Sequence, residues 1–111
     1  MSIKQITIAG KEVSIAYCFA TEIGFKKLTG VGIDEFNAND NEHILYLIVA
    51  AISAYYQSKG EDIPINADNI IYEANKDELI GAVKAVIELR ADWYELPFGE
   101  EEKKEDEGKN V

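Results

Sequence analysis

The sequence predicts an α+β fold, with an N-terminal β-hairpin packed on a mainly α-helical domain of about four helices. Three observations predict it. Side chains alternate with a period of two from Ile3 to Tyr17, many of them β-branched. Helical spacing takes over near Phe19 and recurs as far as Tyr94. Asn39 with Glu42, and Asn75 with Glu78, have the spacing of a capping box ahead of an apolar run. Residues 1–98 are expected to form a single globular domain, and residues 99–111 a flexible acidic tail.

The first strand is expected over Ile3–Ile8, with Ile6 and Ile8 on one face and Gln5 and Thr7 on the other. Ala9-Gly10-Lys11 is a tight connection, in which Gly10 can take positive φ. Val13, Ile15 and Tyr17 alternate with Glu12, Ser14 and Ala16 to give the second strand. A lone hairpin is only marginally stable in water, so it has to pack on helices or pair with another chain.

The first helix is expected over Phe19–Thr29. Phe19, Ile23 and Leu28 read as its buried stripe, with Glu22, Lys26 and Lys27 in water. Gly24 costs about 1 kcal/mol against Ala inside a helix, and such a glycine often marks close backbone contact. Gly30 suits the position after a helix end, with Val31 as the apolar contact that accompanies it. Ile33-Asp34-Glu35-Phe36 reads as one helical turn or as a loop with two apolar anchors.

The second helix carries the strongest signal. Nearly every residue from Ile44 to Tyr56 is apolar, and Gly60 ends the run. Such a helix is either central in its own domain or shared with another subunit. A loop with Pro64 follows, then a short helix capped by Asn66 or Asp68 and carrying Ile70 and Ile71. The last helix is expected from Asn75 to Tyr94, with Leu79, Ile80, Val83, Val86, Ile87 and Tyr94 as its stripe. Pro97 blocks continuation. Beyond Phe98 come six acids, three lysines and no aromatic residue, a composition that cannot build a core.

Composition limits the functional classes. Twenty-one acidic against eleven basic residues give a formal charge of −10 in 111 residues. That charge repels nucleic acid and anionic membranes, so neither is an expected partner, and it suits a basic protein partner. The single cysteine, Cys18, and the lack of an apolar leader after Met1 point to a reducing, cytoplasmic setting. The longest apolar run is too short to span a bilayer.

The chain offers little for chemistry. His43 is the one histidine, in the first turn of the second helix, and reads as a surface or packing residue. Cys18 reads as a small core residue, since a thiol nucleophile needs a base. The acid pairs Glu61-Asp62 and Asp77-Glu78 lie in a loop and at a helix start, where negative charge favours the helix dipole. No catalytic residue, metal ligand or cofactor site is expected, and the chain reads as a binding protein rather than an enzyme. Tyr55, Tyr56, Trp93, Tyr94 and Phe98 are the candidate partner-binding residues, because exposed Trp and Tyr are favoured interface anchors. Packing is the alternative for each group. Trp93–Phe98 can fold back to close the core, and Tyr55-Tyr56 can pack in the core or between subunits.

The order of these elements resembles one family. Ala9-Gly10-Lys11-Glu12 forms a Gly-Lys turn between short strands. Tyr17-Cys18-Phe19-Ala20-Thr21-Glu22-Ile23-Gly24-Phe25-Lys26-Lys27-Leu28-Thr29-Gly30 follows, ending in Leu-Thr-Gly. Then come the apolar helix Ile44–Tyr56 with its terminal aromatic residues, a final helix and a charged tail. This sequence of features is similar to the tail assembly chaperones of long-tailed bacteriophages and covers most of residues 3–111. Gly24 departs from the pattern, where a bulkier helix former is expected. The resemblance implies a homo-oligomeric binding protein of the bacterial host cytoplasm. Its partners would be the long helical tape measure protein and the tail tube protein, brought together during virion assembly. The rival is an acidic inhibitor that mimics nucleic acid and blocks a DNA-binding enzyme. That role needs a regular double row of carboxylates, whereas the acids here gather at helix starts and in the tail.

Overall fold

A computed structural model describes residues 2–95. The 1–98 boundary, Phe98 and the tail 99–111 fall wholly or partly outside the described residues. The order is β1 (Ser2–Ile8), β2 (Lys11–Tyr17), α1 (Phe19–Thr29), a 3₁₀ turn (Ile33–Glu35), α2 (Asn41–Lys59), α3 (Ala67–Glu73) and α4 (Lys76–Tyr94). This is the α+β arrangement the sequence predicts, a two-stranded antiparallel hairpin packed against four helices.

Ala9 and Gly10 both take positive φ, at 53° and 75°, between the paired residues Ile8 and Lys11. Two left-handed residues make a type I′ turn, whose twist matches that of the flanking strands. The register places Ile6, Ile8, Val13, Ile15 and Tyr17 on one face. Of these, all but the half-buried Ile6 are fully buried. β1 packs on α4 and β2 on α2, while α1 lies along α2.

α2 is the central element. Leu47, Ile48, Ala50, Ala51, Ile52 and Ala54 are buried, whereas Ile44, Leu45 and Tyr46 at its start stay half-buried. The domain therefore encloses the middle of α2 and leaves its first turns partly open. Its cap is Asp40, not Asn39, and there is no reciprocal bond from Glu42. Asp40 Oδ1 accepts the N–H groups of Glu42 and His43, at 2.9 and 3.3 Å. Asn66 caps α3 and Asn75 caps α4, each in a reciprocal box. Gly30 ends α1 with φ 86°, and its N–H donates to Lys26 O at 2.8 Å.

Two buried faces differ from those the sequence predicts. In α1 the inward residues are Thr21 and Phe25, and Phe19, Ile23 and Leu28 are 66%, 42% and 45% exposed. Thr21 faces inward because it serves the backbone. Its hydroxyl donates to Ala16 O at 2.9 Å and accepts from Cys18 N at 3.2 Å. Cys18 itself is only half-buried. In α4, Ala82, Ala85, Val86 and Leu89 face the core, and Ile80, Ile87 and Tyr94 turn outward at about half exposure. Small alanines let α4 approach the hairpin, and this rotates the bulkier residues away from it.

Glu78 joins the hairpin to α4. Its carboxylate accepts the N–H of Asn75 as part of the cap, and also the N–H groups of Ala9 and Gly10 in the turn, at 2.9 and 3.1 Å. Backbone donation from Asn75 and then Gly10 holds this carboxyl below the usual range. At the other end of β1, Lys4 forms an ion pair with Glu88.

Candidate functional site

The open start of α2 is one wall of an apolar groove. α4 supplies the facing wall through the residues turned away from the hairpin. One concavity of about 610 Å³ lies between Ala38, Asn39, Asn41 and Ile44 on one side and Leu79, Ile80 and Val83 on the other, with Lys76 and Lys84 also lining its α4 wall. A second, of about 500 Å³, continues over Ile44, Leu45, Ile70, Ile71 and Ala74. The two share Asn41, Ile44 and Leu79, so they form one continuous surface. A smaller hollow of about 280 Å³ carries the same flank of α4 onward to Ile87, against Ile33, Phe36 and Leu47.

The loop along this groove is held in shape locally. His43 Nδ1 accepts the Asn37 N–H at 3.0 Å, and its ring meets Phe25 edge-on at 5.5 Å. This gives His43 a packing role. Asp34 Oδ1 accepts from Arg90 Nη2 at 2.9 Å, which ties the 3₁₀ turn to α4. The Arg90 guanidinium also lies 4.8 Å from the Tyr94 ring centre.

Above the small hollow, Glu22 Oε2 accepts two phenols, Tyr17 at 2.8 Å and Tyr94 at 2.7 Å. Burial, and then the Glu22 carboxylate, push the Tyr17 hydroxyl well above its ordinary pKa. The Tyr94 hydroxyl is raised first by the Glu22 hydrogen bond and then by burial. Both phenols are therefore neutral donors at physiological pH. No group of three or more His, Cys, Asp or Glu side chains among the described residues is placed to hold a metal ion. No described helix is long and apolar enough to cross a membrane.

The five residues named from the sequence do not form one patch. Tyr56 is half-buried, and its hydroxyl accepts the Ser14 N–H at 3.1 Å. Tyr55 stacks edge-on against it, with ring centres 4.8 Å apart. Trp93 packs on the core beside Tyr17, at 5.5 Å. Tyr94 is 52% exposed, with its hydroxyl on Glu22. Phe98 lies outside the described residues. The groove residues Ile44, Leu79, Ile80 and Val83 were visible in the sequence, but as helix interior. The usable signal was the width of the apolar arc on α4. Ile80, Val83 and Ile87 flank a face already filled by Ala82, Val86 and Leu89, so the arc is wider than one hairpin can cover.

Compared with protein-family models, curated proteins and solved structures, the chain matches none of them.

Proposed function

We propose that this protein is a tail assembly chaperone of a long-tailed bacteriophage. It binds apolar helical segments of the tape measure protein in the host cytoplasm and helps recruit tail tube subunits to them. The observation that carries the reading is the continuous, mainly apolar groove from Ile71 through Ile44 to Val83, open along its length. An amphipathic helix recognises such a groove through side chains spaced three and four residues apart. The formal charge of −10 suits the task, since it keeps a coated complex soluble. The hairpin, apolar helix and final helix follow the order that the family resemblance implies.

The inhibitor reading is weaker on the same grounds. Glu22, Glu78 and Glu88 are engaged within the chain rather than displayed in a free row.

Co-expression with the tape measure protein tests the proposal. The wild-type chain should keep that partner soluble and co-purify with it. The double substitution Ile80→Ser with Ile87→Ser, at half-exposed positions, should abolish this while the fold persists. A wild-type chain that leaves the partner insoluble and uncaptured would rule out the reading.

A further inference from the structure

The residues that α4 turns away from the hairpin form one stripe. Lys76, Ile80, Val83, Ile87, Arg90 and Tyr94 follow one another at three- or four-residue steps, so they share a face. The stripe lines the two hollows beside Ile44 and Leu47 and runs on to the end of the helix. Its middle is apolar, with Ile80 and Ile87 about half exposed. Its margin is basic, since Lys76 and Lys84 line the larger hollow and Arg90 the smaller one. Neither lysine has an ion-pair partner among the described residues. The acids of the facing wall do not serve them. Asp34 is held by Arg90, Asp40 caps α2, and Glu42 lines only the further concavity over Ile71.

The sequence continues past this stripe with Leu96-Pro97-Phe98-Gly99, and then Glu100–Glu107 carries six acids against two lysines. Pro97 cannot extend α4, and Gly99 permits a sharp change of direction. Two apolar side chains followed by acids match the stripe read backwards from Tyr94. There, an apolar hollow comes first, and Lys84 and Lys76 follow.

We propose that residues 96–107 fold back along α4 and occupy the groove of their own chain, as a weakly held plug that an incoming helix displaces. Three extended residues reach about 10 Å, and the helix from Arg90 to Glu95 rises about 7.5 Å. Phe98 can therefore enter the hollow of about 280 Å³ lined by Phe36, Leu47 and Ile87. An extended chain advances about 3.3 Å per residue against about 1.5 Å in the helix. From Phe98 onward, Glu100–Glu102 thus come level with Lys84, and Glu105 with Lys76. Acids meet both lysines in a single register.

Tethering selects this occupant. A segment on a short linker sees its site at an effective concentration of about millimolar, so a contact too weak to hold a free peptide still fills the groove. The same tether favours the chain's own segment over that of a second copy in dilute solution. The contact covers the apolar stripe while no partner is present, and it sets a threshold that a partner helix has to exceed. That regulatory role rests on the chaperone reading, whereas the docking itself does not.

Paramagnetic relaxation in the full chain tests the docking without any partner. Cys18→Ser removes the single native thiol and leaves a good cap for α1. Lys103→Cys then carries a nitroxide and spares every acid of the segment. The methyl signals of Ile80, Val83 and Ile87 should broaden, and the Gly60 amide at the far end of α2 should not. Lys76→Glu with Lys84→Glu should cut the broadening about threefold. Raising sodium chloride from about 0.05 to about 0.5 M should do the same, because it shortens the reach of these charges. The salt series leaves the groove unaltered, so it decides the matter even where the lysine variant unfolds. Absence of broadening overturns the proposal, as does broadening that neither salt nor lysine reversal reduces. Broadening of isotope-labelled chains mixed with separately spin-labelled ones also overturns it, because the segment then reaches a second copy. Broadening within a chain that fails to capture the tape measure protein upholds the docking and removes the chaperone reading.

Discussion

Gly24 of α1 rests against Ala50 of α2, so that a methyl group at Gly24 would lie 3.4 Å from the Ala50 Cβ. This contact explains a glycine that breaks the local preference for a helix former. Two small residues let the helices approach, and Phe25 next to the contact then reaches full burial.

The first prediction follows from that distance. Gly24→Ala adds a methyl at ordinary contact range and recovers helix propensity, so it should raise stability by about 0.5–1 kcal/mol. Gly24→Leu should lower it by about 2 kcal/mol, because α1 must move off α2. Urea denaturation midpoints measure both, and a stabilised leucine variant would mean that the helices are not in contact here.

Tyr56 offers a second test. Its hydroxyl is the acceptor for the Ser14 N–H of β2. Tyr56→Phe should cost about 1 kcal/mol, because it leaves that amide without a partner. Faster hydrogen exchange at Ser14, with the rest of the hairpin unchanged, is the expected signature.

Trp93 should behave as part of the core. It packs against Tyr17 and the buried cluster, so Trp93→Ala should lower stability by about 3 kcal/mol. Tyr94→Phe, which loses one hydrogen bond to Glu22 at an exposed site, should cost far less. A Trp93→Ala variant of normal stability that no longer captures a partner would place Trp93 on the contact surface instead.

The Tyr17 phenol sets an upper pH limit. Its folded pKa is raised above the ordinary 10.0. The unfolded chain therefore releases this proton first as pH rises, and stability falls from about pH 10 upward. Below that pH, the phenol is protonated in both states and contributes no slope. Tyr17→Phe should flatten the decline in denaturation free energy between pH 10 and 11, measured against the wild type. An unchanged slope would mean that the phenol ionises freely in the folded protein.

Local chemistry was legible in the sequence. The turn at Ala9-Gly10, the caps Asn66 and Asn75 and the stops at Gly30 and Gly60 depend on residues within a few positions of one another. The inward faces of α1 and α4 were not legible, because both helices carry apolar residues on two sides. Thr21 turned inward to bond Ala16 O, a demand made by a strand that periodicity within one helix cannot register. Asp40 displaced Asn39 as cap because either residue fits the chemistry one step apart. The aromatic residues named from the sequence were chosen by type. The groove arises from how α2, α3 and α4 are set against each other, and the wide apolar arc on α4 is its local trace in the sequence.

The bond from Glu78 to the hairpin turn also has a consequence for biosynthesis. β1 and β2 leave the ribosome before the helices, and the helix that covers β1 is encoded at residues 76–94. A hairpin alone is marginal in water, and chains emerge at about 5–20 residues per second. The nascent hairpin must therefore wait several seconds for its lid, with Ile6 and Ile8 uncovered until Glu78 arrives to take the turn amides.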